Sequence, residues 1–181
     1  MSIPNLITLG RILLVPIVIW AITAGEMRIG FVLFVAAGIS DAVDGFLAKR
    51  FSMSTELGAY LDPLADKTMI VSIYIALGIM EFVPRWLVIL VVSRDIMIVG
   101  AVILSWLVDK PVALKPLLVS KFNTVVQIAL IGVVLGSLGF NLSLELAQAA
   151  LMALVAVLTL LSILFYVAEW IRHMNATEST R

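Results

Sequence analysis

Six stretches of this chain stay apolar for about the 20 residues that a helix needs to cross a bilayer. They run Leu6–Ala24, Gly30–Ala48, Ala59–Met80, Trp86–Val108, Leu117–Phe140 and Leu146–Trp170. In hydrocarbon every backbone N–H and C=O must be satisfied internally, so runs of this length predict helices. The breakers Gly25, Pro84, Pro111, Pro116 and Asn141 fall between them. No room is left for an extramembrane domain and no tandem repeat is visible. The expectation is therefore one all-α integral membrane domain over residues 1–181, a six-transmembrane-helix bundle. A chain 62% apolar and 13% charged is excluded from the ordinary soluble class. Zero formal net charge argues against a nucleic-acid partner, and the lack of cysteine removes disulfides and thiolate metal sites. The first 24 residues carry one charge, Arg11, and no small-x-small cleavage site, so they are read as the first span and not as a signal peptide.

Lysine and arginine placement predicts the orientation. Arg11, Lys49, Arg50, Lys110, Lys115, Lys121, Arg172 and Arg181 would lie on one side, with only Arg28 and Arg85 on the other. That bias puts both termini in the cytoplasm, together with the turn near residue 50 and the loop over 109–121. Trp86, Trp106 and Trp170 near span ends agree with interfacial anchoring.

Against this apolar background, four aspartates fall within 26 residues: Asp41, Asp44, Asp62 and Asp66. Carboxylates in a membrane span are expensive and usually functional. Asp41 and Asp44 are three apart and share a helix face, as do Asp62 and Asp66 at four apart. The polar stretch Phe51 to Leu57 reads as the loop between their helices. At a rise of about 1.5 Å per residue, Asp44 and Asp41 lie about 9 and 13 Å from Arg50, and Asp62 and Asp66 about 6 and 12 Å from Gly58. In antiparallel helices the four carboxylates meet at similar depth. Hard oxygen ligands alone favour magnesium or manganese over zinc. Two such ions about 4 Å apart suit a pyrophosphate-bearing substrate.

The same stretch, Asp41-x2-Asp44-Gly45-x2-Ala48-Lys49-x8-Gly58-x3-Asp62-x3-Asp66, resembles the signature of the CDP-alcohol phosphatidyltransferases. It departs in one place, where Lys49 stands for the signature arginine; Lys49 or the neighbouring Arg50 would keep the charge but Lys49 loses the bidentate fork. The resemblance implies phosphatidyl transfer from CDP-diacylglycerol to a hydroxyl, with CMP released. It implies Asp41, Asp44, Asp62 and Asp66 as ligands of two divalent cations, Mg²⁺ or Mn²⁺. Asp66 would also be the general base. Asp41, Gly45, Ala48, Lys49 and Gly58 would take the nucleotide donor. Pro4-Asn5-x2-Thr8-x2-Arg11 is similar to the family's opening, which makes Asn5, Thr8 and Arg11 cavity-wall residues; the plain alternative is a helix start with Arg11 reaching for headgroups. The family implies a homodimer; the expected location is a bacterial inner membrane, with the site facing the cytoplasm by the lysine and arginine bias.

Two further strings bear on the acceptor. Ser93-Arg94-Asp95 and Lys115-Pro116…Ser120-Lys121-x-Asn123-Thr124-x2-Gln127 resemble the cardiolipin synthases of this family more than its phosphatidylglycerophosphate synthases. Arg94 and Lys121 thereby become candidates for the acceptor phosphate, and phosphatidylglycerol the favoured acceptor over glycerol 3-phosphate. Arg94 and Asp95 also read simply as a buried ion pair. Lys115 and Lys121 also read as topology charges. A small ion-coupled transporter is the rival of another class, but it calls for coupling charges near the midplane and often two related halves, whereas the four acids cluster near one face within 26 residues and no repeat halves are visible.

Overall fold

The computed structural model describes residues 3–50, 56–107 and 118–178, and side chains within 8–43, 65, 67–100 and 118–168. Six helices follow one another: α1 (Ile3–Thr23), α2 (Met27–Arg50), α3 (Glu56–Ile79), α4 (Arg85–Leu107), α5 (Leu118–Phe140) and α6 (Glu145–Glu178). Among the described residues no strand accompanies them. The six expected helices are all present, with two differences at their ends. α3 begins at Glu56, inside the stretch read as loop, and α6 runs beyond its apolar part to reach 34 residues. Lys110 and Lys115 lie outside the described residues.

Three helices end alike, and this sets the short connections. The amide of Glu26 bonds the carbonyl of Ala21 at 2.9 Å, that of Phe82 bonds Leu77 at 3.0 Å, and that of Leu142 bonds Ser137 at 3.0 Å. Each is the six-to-one bond of a Schellman cap, and each needs a left-handed residue just before the donor. Gly25 (φ 82°), Glu81 (φ 63°) and Asn141 (φ 54°) fill that place. Pro84 follows the second cap, where it blocks continuation of α3.

The core is built from residues four apart on facing stripes: Val18 and Ile22 of α1, Ile73 and Leu77 of α3, Leu87 and Val91 of α4, Ile131 and Leu135 of α5. α1 lies along both α2 and α3, α5 along α2 and α6, and α4 along α6 and α3. The opposite stripe of α6 exposes Leu154, Val157, Leu160, Leu161, Leu164 and Phe165. By length and composition, α5 and the Glu145–Ala168 part of α6 are apolar enough to cross a membrane.

Candidate active site

Arg11 and Thr8 sit three apart on α1, and both are buried. That face of α1 is turned into the protein, and Arg11 Nη1 meets Asp41 Oδ1 of α2 at 2.6 Å. A guanidinium buried this deeply needs a charged partner, since an isolated ion in such a medium is strongly disfavoured. Asp41 remains nearly half exposed, so one side of the pair is accessible. Arg11 lines the cavity described next, and Thr8 is buried on the same helix. Asn5 lies on the same helix, but its side chain is outside the described residues.

Among the described residues α2 and α3 do not pack on one another; each leans on α1 and on α5. The space between them is a cavity of about 380 Å³, a size suited to a small ligand or part of a large one. Gly38, Met69, Ile70 and Ile128 give it apolar walls, Thr124 of α5 adds a hydroxyl, and Arg11 and Asp41 mark its charged end. Helical register extends this picture. Asp44 follows Asp41 by three residues on α2, and Asp66 and Asp62 precede Ile70 by four and eight on α3. Of the four acidic positions, Asp41 lines the cavity. The side chains of Asp44, Asp62 and Asp66 are outside the described residues, as are those of Ala48 and Lys49, and so are the surroundings of Gly45 and Gly58.

Of the acidic set only the side chain of Asp41 is described, and its carboxylate is paired with Arg11 at the edge of the cavity. An all-carboxylate set has the hard-oxygen chemistry of a magnesium or manganese site.

A second polar cluster joins the other helices. Arg94 of α4 is buried, and its three guanidinium nitrogens are all engaged: Nη1 with Asp95 Oδ1 at 2.5 Å, Nε and Nη2 with Ser162 Oγ of α6 at 3.2 Å each, and Nη2 also with Ser120 Oγ of α5. Asp95 Oδ1 also receives Lys67 Nζ of α3 at 3.4 Å. Lys121, one residue past Ser120, is exposed. Next along α5, Asn123 Oδ1 accepts from Thr159 Oγ1 at 3.1 Å, and the backbone carbonyl of Gln127 accepts from Tyr74 Oη at 3.3 Å. Lys67, Ser120, Thr159 and Ser162 were not singled out as site residues in the sequence. Ser162 and Thr159 carried only the weak signal of hydroxyls three apart in an otherwise apolar helix.

A profile of the CDP-alcohol phosphatidyltransferase family matches residues 1–168. The Drosophila melanogaster protein named "Probable cardiolipin synthase (CMP-forming)" is 36% identical over 153 residues, covering 76% of this chain and 48% of its own length. The Homo sapiens cardiolipin synthase (CMP-forming) is 33% identical over 156 residues, covering 77% of this chain and 52% of its own. A Mycobacterium tuberculosis protein named "Probable phosphatidylglycerophosphate synthase" is 30% identical over 185 residues, covering 99% of this chain and 86% of its own. The chain thus spans about half the length of the cardiolipin synthases it matches.

Proposed function

Because the chain belongs to the CDP-alcohol phosphatidyltransferase family, we propose that it transfers a phosphatidyl group from CDP-diacylglycerol to a glycerol-type hydroxyl and releases CMP. The observation that carries this reading is the Arg11–Asp41 pair at the charged end of the cavity between α2 and α3. In this reading the six helices all span a membrane, with both termini and the acidic end of the bundle on the cytoplasmic side, where nucleotides are found. A bacterial inner membrane and a homodimer go with it.

Asp41, Asp44, Asp62 and Asp66 would hold two divalent cations, Mg²⁺ or Mn²⁺. Bound there, the ions would neutralise the pyrophosphate and stabilise charge on the entering and leaving oxygens. Arg11 keeps Asp41 in place from behind. Gly45, Ala48 and Gly58 lack bulk, which leaves room for the cytidine beside the backbone, and Lys49 supplies a cation toward the donor phosphates. The acceptor oxygen bonds to the lipid-side phosphorus, the phosphoanhydride bond breaks, and CMP departs with the bonding pair. Asp66 takes the hydroxyl proton. Lys121, exposed at the start of α5, attracts the acceptor phosphate as a point charge.

Phosphatidylglycerol is the favoured acceptor, supported by the strings around Arg94 and Lys121 and by the likeness to cardiolipin synthases. Glycerol 3-phosphate is the second reading, favoured by the likeness that runs over nearly the whole chain. The deciding experiment is product identification. Purified protein with CDP-diacylglycerol and magnesium is given each acceptor separately, with Asp66→Asn as control. Cardiolipin is the expected product. Phosphatidylglycerophosphate would reassign the acceptor, and no CMP from either would sink the transferase reading.

A further inference from the structure

The cluster around Arg94 draws on four helices at once. Lys67 belongs to α3, Arg94 and Asp95 to α4, Ser120 to α5 and Ser162 to α6. Among the described residues the backbones of α4 and α5 do not pack together, yet the Arg94 guanidinium reaches Ser120. The two ends of this chain of contacts adjoin the residues assigned above to chemistry. Lys67 directly follows Asp66, and Ser120 directly precedes Lys121.

A planar fork with donors in three directions is what such a junction requires. One edge of Arg94 takes Ser162, one tip takes Asp95, the other tip takes Ser120. With every nitrogen committed inside the protein, this guanidinium has little left to offer a phosphate. Asp95 is the complementary node: one oxygen serves both Arg94 and Lys67. Arg94 and Asp95 are buried, so breaking one of their contacts leaves another group unsatisfied, whereas Lys67 joins them from a half-buried position.

We propose that the Lys67–Asp95–Arg94–Ser120/Ser162 chain is a positioning device. It holds α3 and α5 in register, and so sets the separation between Asp66 and Lys121. The inference rests on the roles given to those two residues above. Arg94 and Asp95 are then positioning residues, acting through Lys67 and Ser120 and not on the acceptor directly.

The test uses Asp95→Asn, Asp95→Glu and Ser162→Ala in the full chain, with two readouts. The first is steady-state transfer, with kcat and both KM values. The second is the distance distribution between nitroxides on Ile75→Cys of α3 and Phe122→Cys of α5, clean labelling sites because both are exposed and the chain has no cysteine. Asp95→Asn should broaden the distribution and lower kcat about tenfold, the scale expected for a displaced catalytic group, with both KM values little changed. Asp95→Glu should recover part of both, and Ser162→Ala should move both in the same direction but less. An unchanged distribution overturns the proposal. So does a rise in acceptor KM alone, which would return Arg94 to direct binding. A lower melting temperature with intact kcat would reduce the chain to packing. If the distribution broadens but the unsubstituted protein transfers to neither acceptor, the clamp stands and the transferase reading falls.

Discussion

The two ends of the bundle are built on opposite plans. At the end where α1, α3 and α5 finish, helices meet at close range. A Cβ on Gly139 would lie 3.1 Å from the backbone of Arg28, and one on Gly136 would lie 3.3 Å from the Phe31 ring. Phe31 and Phe140 meet edge to face at 5.5 Å, and the Arg28 Nε–H donates to the Gly139 carbonyl at 2.5 Å. The other end is held by charged side chains reaching across, Arg11 to Asp41 and Lys67 to Asp95. There, among the described residues, α2 and α3 stand apart around a cavity. Small residues let helix backbones approach and fix their angle. The close-packed end therefore acts as the foundation from which the charged end is held open, and the two should respond to substitution differently. Changes at the charged end should alter turnover with little loss of fold. Changes at the packed end should do the reverse.

The largest effect is expected at Asp66. Replacing it with Asn should cut CMP release by about 10²–10⁴-fold, the usual contribution of a general base, with melting behaviour unchanged. Removing divalent ions with a chelator should give a comparable loss that added magnesium reverses. Retained turnover in Asp66→Asn would take away its role as base, and activity that resists the chelator would remove the metal. A smaller effect follows at Lys121. Its substitution by Ala should raise the acceptor KM about tenfold, worth about 1.4 kcal/mol, and leave the donor KM unaltered. A defect confined to the donor would move Lys121 to the nucleotide pocket.

Sequence and structure agree best where the physics is local. Apolar runs gave helices, and the breakers Gly25 and Asn141 occupy left-handed caps that suit them. The spacing of the four aspartates predicts two pairs, each sharing a helix face. Tertiary partners were not legible, because they depend on which faces meet. Nothing local to Arg94 says that it reaches Ser120 and Ser162, 26 and 68 residues away. Similarly, the separation of α2 and α3 follows from how α1 and α5 pack between them, and periodicity along any one helix carries no trace of it. The conformation of Glu81 is illegible for a related reason. Its residue type does not suit a left-handed cap, and only the fold imposes that conformation on it.

At the packed end, Gly139→Ala should destabilise the protein. The neighbour that must yield is the α2 backbone, not a flexible side chain. Overpacking of this kind costs about 1–3 kcal/mol, while the better helix propensity of alanine returns up to about 1 kcal/mol. A net fall in melting temperature is expected, with KM values unchanged. If acceptor KM shifted as well, the two ends would be mechanically coupled, and the foundation would be part of the site.

The smallest predicted effect has the opposite sign. Glu81 holds φ at 63° in the cap of α3, where Gly25 and Asn141 serve the equivalent caps of α1 and α5. A left-handed conformation costs an ordinary L-residue about 1–2 kcal/mol. The compensation in view is the ion pair with Arg85 at 2.6 Å, and both side chains are about three-quarters exposed, where such pairs give about 0–1 kcal/mol. Glu81→Gly removes the strain and forfeits the pair, so a net gain of about 0.5–1 kcal/mol is expected. Turnover should not change, because this cap lies at the end away from Asp41. A thermal melt in the same detergent as the parent checks the sign. A fall would mean that the exposed pair stabilises the turn by more than the left-handed backbone costs, and the packed end would then depend on charge as the other end does.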